Sequence, residues 1–218
     1  MEKNTAILIA DLSGYTALTE AHGALTAADT IDKYINIVLA SLKGKSTLHE
    51  HVGDEVMIMS DSADDLLNTA ISLIANCSKE HRFLQIHGGL HYGKILKHNS
   101  HYFGSPLNYT SRIAAKANKG TFWCSSIFIN ALSNPLAYSF SSKEKQQFKN
   151  VTEKIDVFEI VMNETSEYKV DPFCRMLIHD IKNAIPHPYD NSIFFCSNDC
   201  LKAALNESVI KEFEFSTI

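Results

Sequence analysis

The chain has 218 residues, a formal net charge of −5 and 45% hydrophobic residues, enough apolar material for a buried core and too much for a globally disordered chain. The acidic balance argues against a nucleic-acid binder that works by neutralising phosphates, and no run approaches the eighteen apolar residues of a membrane span. Five cysteines, an odd number, fit reduced thiols or metal ligands better than a disulfide framework; with an N-terminal apolar run too short for a signal peptide, the expected location is cytoplasmic.

Residues 5–12 (TAILIADL) read as a short buried strand closed by Ser13-Gly14. Between about 27 and 42, Ile31, Tyr34, Val38 and Leu42 recur at helical spacing. Gly53-Asp54 reads as a hairpin turn between STLHEHV and EVMIMS. Leu66, Ala70, Ile74 and Cys77 make the stripe of a helix over 62–78. LQIHGGLHY follows as a strand, with a further short strand around Ile95. The order β-α-β-β-α-β predicts an α/β (α+β) fold of ferredoxin-like arrangement. A helix at 106–118, a strand at 121–125 and a closing hairpin near 138–162 complete it. The polar stretch NETSEYKV (163–170) marks a boundary, so one unit is expected over 1–165 and a second, holding three of the five cysteines, over 166–218.

Asp11 ends the first strand and Asp54 occupies the hairpin turn. In a β-α-β-β sheet those strands can be neighbours, and two carboxylates that converge repel unless a hard divalent cation such as Mg²⁺ sits between them. Helix capping for Asp11 and an ordinary Gly-Asp turn for Asp54 are the competing readings. Asn108 and Arg112 share a helix face by their four-residue spacing; from the residues alone they read as a helix cap and a solvated helix charge.

The ordered motifs ILIADLSGYTALTE, HEHVGDEVMIM, IHGGLHYGKI and YFGSPLNYTSRIAAKANKGTFWCSS together resemble class III adenylate and guanylate cyclases over roughly residues 5–162. The resemblance implies conversion of a nucleoside triphosphate to a 3′,5′-cyclic monophosphate and pyrophosphate. It implies that Asp11 and Asp54 hold two Mg²⁺ or Mn²⁺ ions per active site, and that Asn108 and Arg112 orient the ribose and stabilise the α-phosphoryl charge. Backbone amides of Leu12, Ser13, Gly14 and Tyr15 would cradle phosphates. The family's triphosphate lysine falls on Lys149 or Lys154. Because the aspartates and the Asn/Arg pair come from opposite subunits in this family, a head-to-tail homodimer is implied. Glu50 stands where GTP-using members carry an acid, and His101 at the second base-selecting position matches neither the ATP nor the GTP pattern. A non-catalytic cyclase-fold scaffold that binds nucleotide and senses metal would be free to lose one of the four motif residues; all four are present.

Cys174, Cys196 and Cys200 form C-x21-C-x3-C, three thiolates with the last two one helical turn apart, a soft chelate for Zn²⁺ or a similar metal. DPFCRM and IFFCSNDCLKAALN are similar to the YHS/TRASH family, which implies a small treble-clef-like metal module, with Arg175 in place of the usual Gly. The fourth ligand is open among Asp171, His179 and His187, while Cys77 and Cys124 read as core.

Overall fold

The computed structural model describes residues 2–99, 101–148, 154–162 and 167–215, the last helix with side chains to 206. The central strand is β1 (Glu2–Ser13). Its alternation sends Leu8, Ala10 and Leu12 into one hydrophobic cluster and Ile7 and Ile9 into another on the opposite face. Helix α1 (Tyr15–Ser41) follows and buries Leu18, Ala27, Tyr34 and Val38. It begins twelve residues before the expected start. Gly23, with φ 82° and ψ 169°, interrupts the helix and shifts its apolar phase, so periodicity exposes only the second half.

The hairpin β2 (Thr47–Val52) and β3 (Glu55–Ser60) turns at Gly53-Asp54 as expected, with Gly53 at φ 60°. Helix α2 (Ala63–Lys79) is capped by Ser62, whose side chain accepts from the Asp65 amide; Asp64 and Asp65 in its first turn and Lys79 in its last complement the macrodipole. Strand β4 (Gln85–His98) is continuous where two strands were expected. Gly93 does not break it: the residue pairs with Thr5, and the space its side chain would fill is taken by the Pro106 ring.

The remaining elements are β5 (His101–Phe103), α3 (Ser105–Lys116), β6 (Phe122–Ser125), α4 (Ser126–Asn130), β7 (Phe140–Gln146) and β8 (Ile155–Ile160). The main sheet runs β2-β3-β1-β4-β6-β8-β7, with β5 added to the end of β4; its first four strands carry the ferredoxin-like order. Helices α1 and α2 cover one face. Helix α3 lies on the other, against Gly89, where a side-chain carbon would collide with the Thr110 carbonyl and the Ala114 backbone. His91 is buried, with Nδ1 2.7 Å from Ser125 Oγ, and burial lowers its pKa to about 4, so it is neutral at physiological pH.

Two short pairs, β9 (Lys169–Val170) with β10 (Leu177–Ile178) and β11 (Ile185–His187) with β12 (Asp190–Phe195), precede α5 (Asn198–Phe215). These residues are seated on the main body. The Leu177 amide donates to the Phe83 carbonyl at 2.7 Å, and Leu84 bridges Met176. Cys174, Met176, Phe195 and Cys200 belong to the same hydrophobic cluster as Leu8, Leu66 and Leu84. Each such buried Leu contributes about 2 kcal/mol by leaving water, and the C-terminal residues add to this shared core. Cys77 and Cys124 are buried as expected. No helix among the described residues is long and apolar enough to cross a membrane.

Candidate functional site

Asp11 is the odd-numbered continuation of Ile7 and Ile9, so its carboxylate emerges on the sheet face opposite α1 and α2, where β1 runs out. It accepts from the Leu12 amide at 3.0 Å. The hairpin brings Asp54 to it. Burial pushes the Asp54 carboxyl up to about 6, helped by a hydrogen bond and charge repulsion from Asp11. Two acids compete for one proton here, and a hard cation would resolve the conflict. His87, paired with Asp11 across β1 and β4, completes the floor. Its Nδ1 lies 3.0 Å from Ser13 Oγ, and burial lowers its pKa. The sequence motif contained His87, yet only strand register reveals that it sits beside the acids.

Of the four expected phosphate-binding amides, that of Leu12 is already engaged by Asp11. Ser13 closes β1 opposite Gln85. Gly14 caps α1 in the left-handed region, φ 99°, and offers no side chain to the first-turn amides of the helix. Lys149 lies outside the described residues, and Lys154 is exposed.

Asn108 and Arg112 do share a face of α3, the first exposed and the second half-buried. Among the described residues no hydrogen bond or ion pair joins either to Asp11 or Asp54. Helix α3 passes from Pro106, seated on Gly93 opposite Thr5, to Ala114, seated on Gly89 opposite Ile9, two residues along β1 from Asp11. Glu50 pairs with Met57, which pairs with Ile9, so it shares the open face with Asp11. His101 is exposed at the start of β5, and the residues beside these two positions, His49 and Tyr102, meet with ring centroids 4.7 Å apart.

Comparison with known proteins gives the same architecture. An adenylate cyclase from Trypanosoma brucei in its monomeric state superposes with a TM-score of 0.68 at 15% identity, covering 81% of this chain and 93% of that one. An adenylate/guanylate cyclase/hydrolase from Silicibacter pomeroyi gives 0.62 at 22% identity over 75% and 99%. The fold is that of adenylate and guanylate cyclase domains. Relatives in sequence include an uncharacterized protein of Mycobacterium tuberculosis, 34% identical over 51% of this chain and 30% of its own length. An adenylate cyclase of Glutamicibacter nicotianae is 25% identical over 64% of this chain and 35% of its own length. The chain thus spans about a third of the length of the curated relatives it matches. No family model matches the chain.

A second constellation lies behind this cyclase fold. Cys174, Cys196 and Cys200 come together as expected, with Sγ–Sγ distances of 3.5 Å (Cys174–Cys196) and 3.6 Å (Cys196–Cys200). The fourth group is none of the three expected. Both Asp171 carboxylate oxygens are occupied by backbone amides, Oδ1 by Phe173 and Cys174 and Oδ2 by Cys196. His179 turns Nε2 to the Ser78 carbonyl, and His187 packs on Tyr189 and Phe195. Instead His22 of α1 brings Nε2 to 3.5 Å from Cys200 Sγ and 3.9 Å from Cys196 Sγ. The four donor atoms lie within 4.8 Å of one another, a set that could hold a metal ion. The Cys174 hydrogen bond holds Cys196 below the ordinary thiol range, and donating it pushes Cys174 up. Arg175, next to Cys174, lies with its side-chain stem on Gly14, and its Nε is buried with no partner among the described residues. Its φ of 69° lies in the left-handed region that favours glycine; holding Arg there costs about 1–2 kcal/mol.

Proposed function

We propose that the chain is a nucleotide cyclase, converting a nucleoside triphosphate into a 3′,5′-cyclic monophosphate and pyrophosphate. The observation that carries this is the convergence of Asp11 and Asp54 on the open face of a cyclase fold, where burial first, and then the hydrogen bond and charge of Asp11, raise the Asp54 carboxyl to about 6. That mutual repulsion and an all-oxygen donor set fit Mg²⁺ or Mn²⁺. Two such ions, when bound, supply activation of the ribose 3′-hydroxyl and neutralisation of the triphosphate. The 3′-oxygen forms its bond to the α-phosphorus, the bond to the β-phosphate oxygen breaks, and the hydroxyl proton leaves to solvent. Tyr15 and the uncapped first turn of α1 receive phosphate oxygens, and Lys149 or Lys154 adds a positive charge.

Asn108 orients the ribose, and Arg112 stabilises the α-phosphoryl group with its fork of donors. Among the described residues neither hydrogen-bonds nor ion-pairs with the acids of its own chain, and the complete site is assembled by a head-to-tail homodimer, each half supplying what the other lacks. The three cysteines hold a Zn²⁺-type ion.

Glu50, ionised, accepts from guanine N1–H and repels the lone pair at adenine N1, while His101 donates to guanine O6 or uracil O4. The expected order is GTP or UTP ahead of ATP, although two related proteins carry the name adenylate cyclase. Incubation of the protein with each of the four triphosphates and Mg²⁺ or Mn²⁺, with products identified by mass, tests both statements. No cyclic product from any of them rejects the cyclase; a strong preference for ATP rejects Glu50 as the base reader. Glu50→Lys should raise the ATP-to-GTP ratio about tenfold, measured as relative kcat/KM.

A further inference from the structure

We propose that the cysteine cluster is a clamp between the two units: one thiophilic divalent cation, held by Cys174, Cys196, Cys200 and His22, fastens the C-terminal residues to the first helix of the cyclase fold. The distances suit it. A tetrahedral ion with Zn–S near 2.3 Å and Zn–N near 2.0–2.1 Å has ligand-to-ligand edges of about 3.5–3.8 Å, and the contacts found are 3.5, 3.6, 3.5 and 3.9 Å. Four protein donors leave no open position, the pattern of a structural metal. Asp171 prepares the cluster by holding the amides of two ligands, Cys174 and Cys196.

The position of His22 gives the clamp its consequence. From Tyr15 to His22 runs a helical segment about 12 Å long, ended by the break at Gly23. One end carries the metal ligand. At the other, Arg175 rests on Gly14, and Arg175 directly follows the ligand Cys174. The metal therefore closes a ring: Gly14, the helix, His22, the ion, Cys174, Arg175 and back to Gly14. Every member of that ring constrains Gly14, the one residue between the strand that ends beyond Asp11 and α1. Resting on the cyclase reading, this makes turnover dependent on the clamp, although none of its four ligands touches substrate.

The full chain, loaded with Zn²⁺ or Co²⁺, provides the test. Wild type should hold one Zn²⁺ per chain by elemental mass spectrometry. His22→Ala should release it to a chromogenic chelator at least about tenfold faster, and His22→Cys should restore retention. Chelation of wild type should speed amide hydrogen exchange at residues 14–22 and reduce turnover. An unchanged release rate in His22→Ala, or exchange at 14–22 that ignores chelation, overturns the clamp. So does a metal-free chain with a Cys174–Cys196 disulfide. Should His22→Ala misfold, the Co²⁺ spectrum of His22→Cys decides: a stronger thiolate charge-transfer band supports ligation at position 22, and an unchanged band rejects it. If no triphosphate is turned over, release and exchange still decide the clamp while the cyclase reading alone fails. If triphosphate is turned over but chelation leaves the rate unchanged, the dependence of activity on the clamp is rejected.

Discussion

The two constellations of ligand-bearing side chains are built on opposite plans. Asp11 and Asp54 offer hard oxygens at a strand end and a turn, both half-buried, with too few donors to satisfy an ion unaided. Cys174, Cys196, Cys200 and His22 offer soft donors, two of them buried and two half-buried, in a closed set of four. An incomplete site leaves coordination positions for a substrate; a complete one leaves none. On the proposed reading the first does the chemistry and the second holds the architecture.

The largest effect should come from the open pair. Asp11→Asn or Asp54→Asn is expected to lower turnover by at least about 10³-fold, since a preorganised charge in the transition state is lost. The circular dichroism spectrum should stay native. Residual activity near wild type in either variant would move the chemistry elsewhere. Next comes the division of the site between chains. Asp54→Asn and Arg112→Ala should each be inactive alone. Mixed in equal amounts after subunit exchange, they should recover about a quarter of wild-type activity, because half the dimers are mixed and each has one intact site. No recovery despite demonstrated exchange would mean each chain builds its own site.

The closed set should respond in stability. Cys200→Ser, or chelation of the wild type, is expected to lower Tm by about 5–10 °C through loss of a ligand that binds only the folded chain. An unchanged Tm would erase the contrast. The smallest effect is a reversal at Asp54. Its folded pKa near 6 lies above the ordinary carboxylate value of 3.8, so the folded state holds the proton more tightly than the unfolded one. That contribution is full below about pH 4 and is lost as pH rises through 6. In metal-free buffer at pH 7.5, Asp54→Asn should thus raise Tm by about 1–2 °C, with the gain fading towards pH 4; solvent screening keeps it small. A destabilised Asp54→Asn at pH 7.5 would show that the acids do not repel.

Much of this was legible in the sequence, for local reasons. A buried strand ending in Asp11, a Gly-Asp turn and two polar residues four apart on a helix are short-range patterns, and the structure places each on the expected element. What was hidden depends on packing. Two strands were expected on either side of Gly93, but the residue is a vacancy for Pro106 within one unbroken strand. Gly23 conceals the first half of α1. His87 gains meaning only from register with Asp11. His22 lies 174 and 178 residues before Cys196 and Cys200, so no spacing rule reaches it, whereas the three cysteines announce themselves within one short segment.

The contact at Gly89 has a mechanical side. Helix α3 rests so close to β4 that the Thr110 carbonyl stands 2.6 Å from where a methyl group would be. Position 89 therefore works as a shim of zero thickness. Any side chain inserted there would raise the helix that carries Asn108 and Arg112, moving both residues relative to the sheet without altering either of them.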